Sequence, residues 1–272
     1  MRPISTIFQN KPQELLYHYT TQKGLIGIIE KRSIWASKVQ HLNDTQEFKL
    51  ALNLAKKALE KKSKDAENAI QNKIDQMIED LEEIPSINVF VCSFTEEDDL
   101  LSQWRAYSSF GNGYAIGFSS KILQQRHGFF LAKCIYEENI QKAVIDQLVE
   151  ETLDNKKGID SAVGIYDPRL GFINCLVSLA PMIKHSSFKE EAEWRLISGP
   201  KAIGLQFRPG RSTIIPYVDF QFCAKDAASL CKIITGPSPE PELKKAAVQS
   251  LLLYNGFTNC EVKESSVTYR DW

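Results

Sequence analysis

The sequence predicts an α+β fold: a mixed, mostly antiparallel sheet core with a projecting helical arm. Three observations carry that reading. Short apolar runs bounded by turn residues recur along the chain and read as strands. Few helical patterns have the regular crossover length that a doubly wound parallel sheet needs. One charge-rich stretch, residues 50–83, keeps an apolar stripe at helical spacing.

Each element has a local reason. Residues 1–13 form a loose leader, and a single domain over residues 14–265 follows, with a tail at 266–272. Leu15–Tyr19 is a short aromatic strand. Thr21 caps a helix over Gln22–Lys31, where Leu25, Ile26 and Ile29 recur on one side. Ser33–Ser37 is a second strand. Asp44 and Glu47 make a capping box that opens the long helix of Phe48, Ala51, Leu52, Ala55 and Leu59. Ile70, Ile74, Met77, Ile78 and Leu81 continue the stripe, which argues against disorder, until Pro85 stops it. Ile87–Phe94 and Tyr114–Phe118 are core strands flanking a short helix or turn at Leu100–Tyr107 and a turn at Gly111-Asn112-Gly113. Leu131–Tyr136 is a strand, Gln141–Leu153 an amphipathic helix and Arg169–Ala180 a buried helix that Pro181 ends. Strands then read at Glu191–Ile197, Ala202–Phe207, Thr213–Tyr217 and Leu230–Gly236. A helix at Glu240–Tyr254, closed by Gly256, precedes a last strand at Cys260–Lys263.

Bulk properties exclude several classes. Of 272 residues, 43% are hydrophobic and 25% charged, an ordinary globular composition. A net charge of −1 supplies no global field toward nucleic acid or anionic lipid. No run approaches the ~18 apolar residues of a membrane span, and no apolar signal region opens the chain, so a cytoplasmic location is expected. The six cysteines, among them Cys92, Cys134 and Cys175, are scattered singly and read as reduced and buried. Neither they nor the four histidines have zinc spacing, so no metal is expected. Walker A, GxGxxG and GxSxG patterns are all absent.

Three polar sets sit at strand edges, where binding groups tend to lie. They are His18-Tyr19-Thr20; Ser93 with Gln103, Trp104, Arg105 and Tyr107; and Glu190, Glu191 and Glu193 with Trp194-Arg195. Each has a plainer reading. His18 is also read as a core histidine bonded to backbone, and Trp104 and Tyr107 as core packing at helical spacing. The glutamates fit a helix start, with a capping box from Ser187 to Glu190 and an i,i+4 pair from Glu191 to Arg195. On a strand, Glu191, Glu193 and Arg195 would instead share one face.

Taken together, Leu16–Thr20, Trp35-Ala36, Leu42-Asn43-Asp44 with Glu47-Phe48, Cys92-Ser93-Phe94, Leu101–Trp104, Tyr107, Gly113–Phe118 and Phe188-Lys189 with Glu191 and Glu193-Trp194-Arg195 resemble the bacterial and phage-associated domain-of-unknown-function family 2971. The resemblance runs over about residues 14–236. A second, shorter one is to ADP-ribosyltransferase-like folds. Those begin with a strand ending in His, an aromatic or Gly, and Ser or Thr, and carry a strand-borne Glu, often as Glu-x-Glu. His18-Tyr19-Thr20 and Glu191-x-Glu193 occupy those places in order. No Ser-Thr-Ser motif is present, which departs from the arginine-modifying class.

That second resemblance implies a split sheet and an NAD-consuming transferase or glycohydrolase, a toxin or phage-defence effector by family context. NAD would be the substrate, with a macromolecular acceptor unidentified. Glu193, with Glu191, would stabilise the oxocarbenium-like state. His18 and Thr20 would hydrogen-bond the ribose, Trp104 or Tyr107 would stack on nicotinamide, Arg105 would meet the pyrophosphate bidentately, and Tyr19 and Ser93 would complete the NAD-binding set. The other reading is a non-catalytic module that holds a ligand or partner in the same cleft. Convergence or scattering of His18, Tyr107 and Glu193 separates the two.

Overall fold

A computed structural model describes residues 2–42, 45–64, 66–107, 113–125, 128–154, 166–201, 203–210, 212–222 and 229–268. Its architecture is α+β, with a mixed, mostly antiparallel open sheet. The expected cap at Asp44, the turn at Gly111-Asn112, the start of the strand at Ala202, His127 and Cys223 lie outside the described residues.

The fork in the sheet is its organising feature. β3 (Phe90–Thr95) pairs along one edge with β6 (Glu193–Ser198), which pairs in turn with β5 (Phe129–Lys133). Its other edge is shared by two strands. β1 (Leu15–Thr21) meets it only at Tyr17↔Thr95, and β2 (Ser33–Lys38) only at Ser37↔Val91 and Lys38↔Phe90. From β1 the sheet runs outward through β4 (Gly113–Ser119) and β9 (Leu230–Thr235) to β10 (Glu261–Glu264). From β2 it runs through β8 (Ile214–Gln221) to β7 (Gln206–Pro209). β10 with β9 is a parallel pair; the others in this sheet are antiparallel.

Alternation along the strands assigns the two faces. One face carries Leu16, Phe90, Cys92, Phe94, Ile116, Phe118, Trp194, Leu196 and Phe220. It is covered by α2 (Gln22–Lys31) and α9 (Pro241–Tyr254), which supply Leu25, Ile29, Val248 and Leu252. Thr21 caps α2 as its sequence predicts, its side chain accepting from the Gly24 amide at 3.3 Å. The opposite face carries Val91, Ala132 and Ile197 under a helical layer, and Tyr17, Tyr19 and Ala115 around Trp104.

That helical layer corrects two expectations. α3 (Thr45–Ser63) and α4 (Asn68–Glu83) are the expected helices, but they pack instead of projecting. Phe48, Ala51, Ala55 and Leu59 of α3, and Ile74, Met77 and Leu81 of α4, are buried in one cluster. Val144 and Leu148 of α7 (Glu138–Leu153) and Leu176 of α8 (Phe172–Leu179) complete it. An apolar stripe on each charged helix is a demand for such a partner, and the layer satisfies it. The leader is not loose either: α1 (Pro3–Ile7) buries Ile4 and Ile7 in the same cluster, and the Ile4 amide donates to Gln147 Oε1 at 2.9 Å. Proline at the first helical position explains why so short a helix starts there.

α5 (Leu101–Tyr107) lies over β1, and α6 (Ser120–Gln124) follows β4 directly. Cys92, Cys134, Cys175, Cys231 and Cys260 are free thiols. Among the described residues no helix is long and apolar enough to cross a membrane, and no group of three or more His, Cys, Asp or Glu residues is placed to hold a metal.

Candidate functional site

The segment 186–198 decides between the two readings of the glutamates, and each is half right. Ser186–Glu191 is a 3-10 turn, and β6 begins at Glu193. Ala192 between them has φ 41°, in the left-handed region that costs a non-glycine residue about 1 kcal/mol. This kink takes Glu191 off the strand, yet both carboxylates reach one ammonium. Lys184 Nζ donates to Glu191 Oε2 and to Glu193 Oε2.

Glu193 and Arg195 form a bidentate pair, Nε to Oε1 at 2.7 Å and Nη2 to Oε2 at 2.9 Å. Arg195 also donates to Glu47 Oε2 at 2.6 Å and to the Pro181 carbonyl at 2.7 Å. Lys184 stands 3.4 Å from Glu47 Oε1. The Glu193 amide donates to the Tyr136 hydroxyl oxygen at 2.9 Å. The side chains of Glu47, Lys184, Glu193 and Arg195 are each 6% exposed or less, whereas Glu191 is 28% exposed.

Electrostatics follow from that packing. Burial alone would raise the Glu193 carboxyl, but Arg195 and Lys184 outweigh it and hold it down to about 2. The same carboxylates raise Lys184 and Arg195 above their ordinary values against the opposing effect of burial. Burial raises Glu191, with Lys184 opposing. Three carboxylates thus face two cations, a surplus of one negative charge.

The network adjoins a cleft of about 430 Å³. Glu47, Lys49, Leu50 and Asn53 of α3 form one wall, and His185, Ser187 and Phe188 the other. Glu47 belongs to both network and cleft, and Lys184 Nζ sits 4.9 Å from the centre of the Phe188 ring.

The remaining expected site residues divide by face. His18 Nδ1 lies 2.9 Å from the Ser93 carbonyl oxygen, and its ring is 5.8 Å from that of Phe94. A carbonyl only accepts, so Nδ1 carries the proton and Nε2 the lone pair. Burial lowers the His18 pKa, which keeps the ring neutral near pH 7. Thr20 shares that side of β1, its hydroxyl packed over Gly24, where an added Cβ would lie 2.0 Å from Oγ1. Tyr19 points the other way. Its hydroxyl donates to the Glu97 carbonyl at 3.1 Å and accepts from the Leu100 amide at 2.9 Å, and its ring meets Trp104 edge-on at 4.7 Å.

Trp104 is fully buried, with Nε1 donating to Asp99 at 2.7 Å, and Tyr107 packs against the same cluster. The Trp104 ring is core here, and Tyr107 is half-buried beside it. Arg105 is exposed on α5. Ser93 is half-buried and pairs with Arg195 across β3 and β6, so its side chain shares that face. The structure therefore gathers Glu191, Glu193, Arg195 and Ser93 on one face and leaves His18 and Thr20 on the other.

Sequence reasoning missed Lys184 and the role of Glu47. Glu47 reads as the return half of a capping box, whose other half Asp44 lies outside the described residues; its carboxylate also accepts from Arg195 and lies 3.4 Å from Lys184. Lys184 had one signal, a lone cation closing the apolar run Pro181-Met182-Ile183.

A family model described as protein of unknown function (DUF2971) matches residues 103–196. No curated protein and no solved structure matches the chain. The matched segment runs from Gln103-Trp104 on α5 to Glu193 and Arg195 on β6, so the family resemblance seen in the motifs is carried by the part that holds most of the network: over residues 103–196 this chain is similar to that family.

Proposed function

We propose that the protein is a ligand-binding module whose ligand enters the cleft between α3 and residues 185–188 and is held by Glu47. The observation that carries this reading is the double position of Glu47, at once a member of the buried network and a wall of an open cleft of ligand size. Glu47 is the carboxylate among the lining residues, which favours an amine or guanidinium group on the ligand as its partner there. Glu193 serves here as the counter-charge that fixes Arg195.

The test is a thermal-shift screen of small amines and guanidines against wild type and Asn53→Trp. Asn53 is exposed at the cleft wall and outside the network, so the indole fills the cleft without breaking an ion pair. A cation that stabilises wild type by several degrees and loses the effect in the variant supports the proposal. No response to any cation, or an unchanged one in Asn53→Trp, contradicts it.

A second reading keeps one supporting observation. The sheet forks between β1 and β2, and the His18 ring sits at the fork with Nε2 free of the Ser93 bond. That arrangement suits an NAD-consuming transferase or glycohydrolase in which His18 accepts a hydrogen bond from a ribose hydroxyl, with the toxin or phage-defence role and cytoplasmic location of the sequence reading. It requires Glu193 to leave its ion pairs, and nicotinamide release tests it.

A further inference from the structure

The wing of the sheet formed by β2, β8 and β7 carries a cation that its fold does not neutralise. Arg208 on β7 donates from Nη2 to Ser37 Oγ at 2.9 Å and lies 5.3 Å from the centre of the Trp35 ring. Among the described residues it makes no ion pair, and its Nε is buried without an acceptor. Partial burial lowers its pKa, as expected for a half-buried guanidinium without a counter-charge. Arginines with buried donors are ordinarily matched to carboxylates or phosphates, because a buried donor without an acceptor is destabilising.

The surroundings are of the same sign. His41, at the end of the 3-10 turn Val39–His41 that follows β2, feels the charges of both Lys38 and Arg208. Gln40 beside it has both amide atoms buried without partners. Trp35 is 40% exposed, stacked obliquely against Tyr217 at 4.9 Å, with Lys31 Nζ 5.9 Å from its ring centre. Asp219 is the carboxylate of this wing, and it is engaged by Ser33 Oγ and Gln206 Nε2.

We propose that this wing is a second binding site, which takes a phosphate-class oxyanion on Arg208, with Gln40 and His41 at the end of the adjoining 3-10 turn and Trp35 as its aromatic wall. The anion supplies the acceptor that Arg208 Nε lacks and a counter-charge to its guanidinium. The guanidinium fork suits two oxygens of one tetrahedral anion. The exposed indole beside it can take the base of a nucleotide, so both free phosphate and a nucleoside phosphate offer the shared chemistry. This site is separate from the Glu47 cleft and does not depend on it.

The test titrates wild-type protein at constant ionic strength with inorganic phosphate, AMP and adenosine, following the melting temperature and tryptophan fluorescence. Phosphate or AMP at roughly 10 mM should raise the melting temperature by about 3 °C or more. Arg208→Gln should reduce that shift at least fivefold, while Lys142→Gln, a distant exposed cation on α7, leaves it intact. If Arg208→Gln does not fold, Arg208→Lys, which keeps the charge but loses the planar fork, should weaken the response in its place. A response to both anions identifies the phosphate group as the ligand. A response to AMP alone identifies a nucleoside phosphate, with the fluorescence change lost in Trp35→Phe. Adenosine acting as well as AMP, no response to either anion, or a response that the cation variants leave unchanged overturns the proposal.

Discussion

His18 and Glu193 stand on opposite faces of one sheet. Tyr17 pairs with Thr95 and Thr95 with Glu193, which puts those three side chains on a common face and turns His18 to the other. The ring of His18 against Phe94, which points away from Glu193, is the direct sign of it.

Glu193→Gln should therefore be a stability mutation first. It keeps the shape but leaves Arg195 and Lys184 buried with a reduced counter-charge. Breaking one partner of such a pair costs roughly 3–5 kcal/mol. Denaturant unfolding of wild type and variant measures this. A loss below about 1 kcal/mol would show that Glu193 is not holding the network.

The same carboxylate sets an acid limb. Its folded pKa is depressed from 4.5 to about 2, so its contribution is complete above the unfolded value. It is lost as pH falls from about 4.5 toward 2, and amounts to roughly 3 kcal/mol. Lys184, raised in the folded protein, contributes with the opposite sign, fully below pH 10.5 and lost above it. Glu191, also raised, works against the acid limb, since its folded form holds a proton more tightly. Wild-type unfolding free energy followed between pH 6 and pH 2 should fall more steeply than that of a folded Glu193→Gln variant. Parallel curves would contradict the assignment.

Gly236→Ala should report on Trp104. An added Cβ would come within 2.8 Å of the indole and 3.0 Å of the Gly113 carbonyl oxygen, both in the interior. Overpacking of this kind costs about 1–3 kcal/mol. A neutral result in thermal unfolding would mean that the indole has room to move, as a ligand-stacking ring requires.

How much of this was legible in sequence depends on the range of the signal. Thr21 as a cap, the stripe of α3 and α4 apart from the exposed Ile70, and the apolar strands around Phe94 and Ile116 are local patterns, and they appear where periodicity puts them. Period-two alternation even separates Tyr17 and Tyr19 from His18. What it cannot give is which strands pair, and hence which faces coincide. The opposition of His18 to Glu193 arises from the β1–β3–β6 registers, over 170 residues of chain. The Glu47–Arg195 bond spans 148 residues and has no local signature. The helical arm was legible as helix, but nothing within residues 50–83 names α7 and α8 as its cover. Glu-x-Glu was legible as a pair, while the left-handed Ala192 that breaks its alternation was not.

Nicotinamide release from NAD, measured with wild-type protein in the presence of cell extract and alongside calorimetry with NAD, tests the central claim most directly. With Glu193 locked to Arg195 and Lys184 and His18 across the sheet, the account predicts release at background, whatever acceptor the extract supplies. Release well above background that falls roughly 100-fold in Glu193→Gln, in variant protein shown to remain folded, would contradict it and place Glu193 at a reacting ribose.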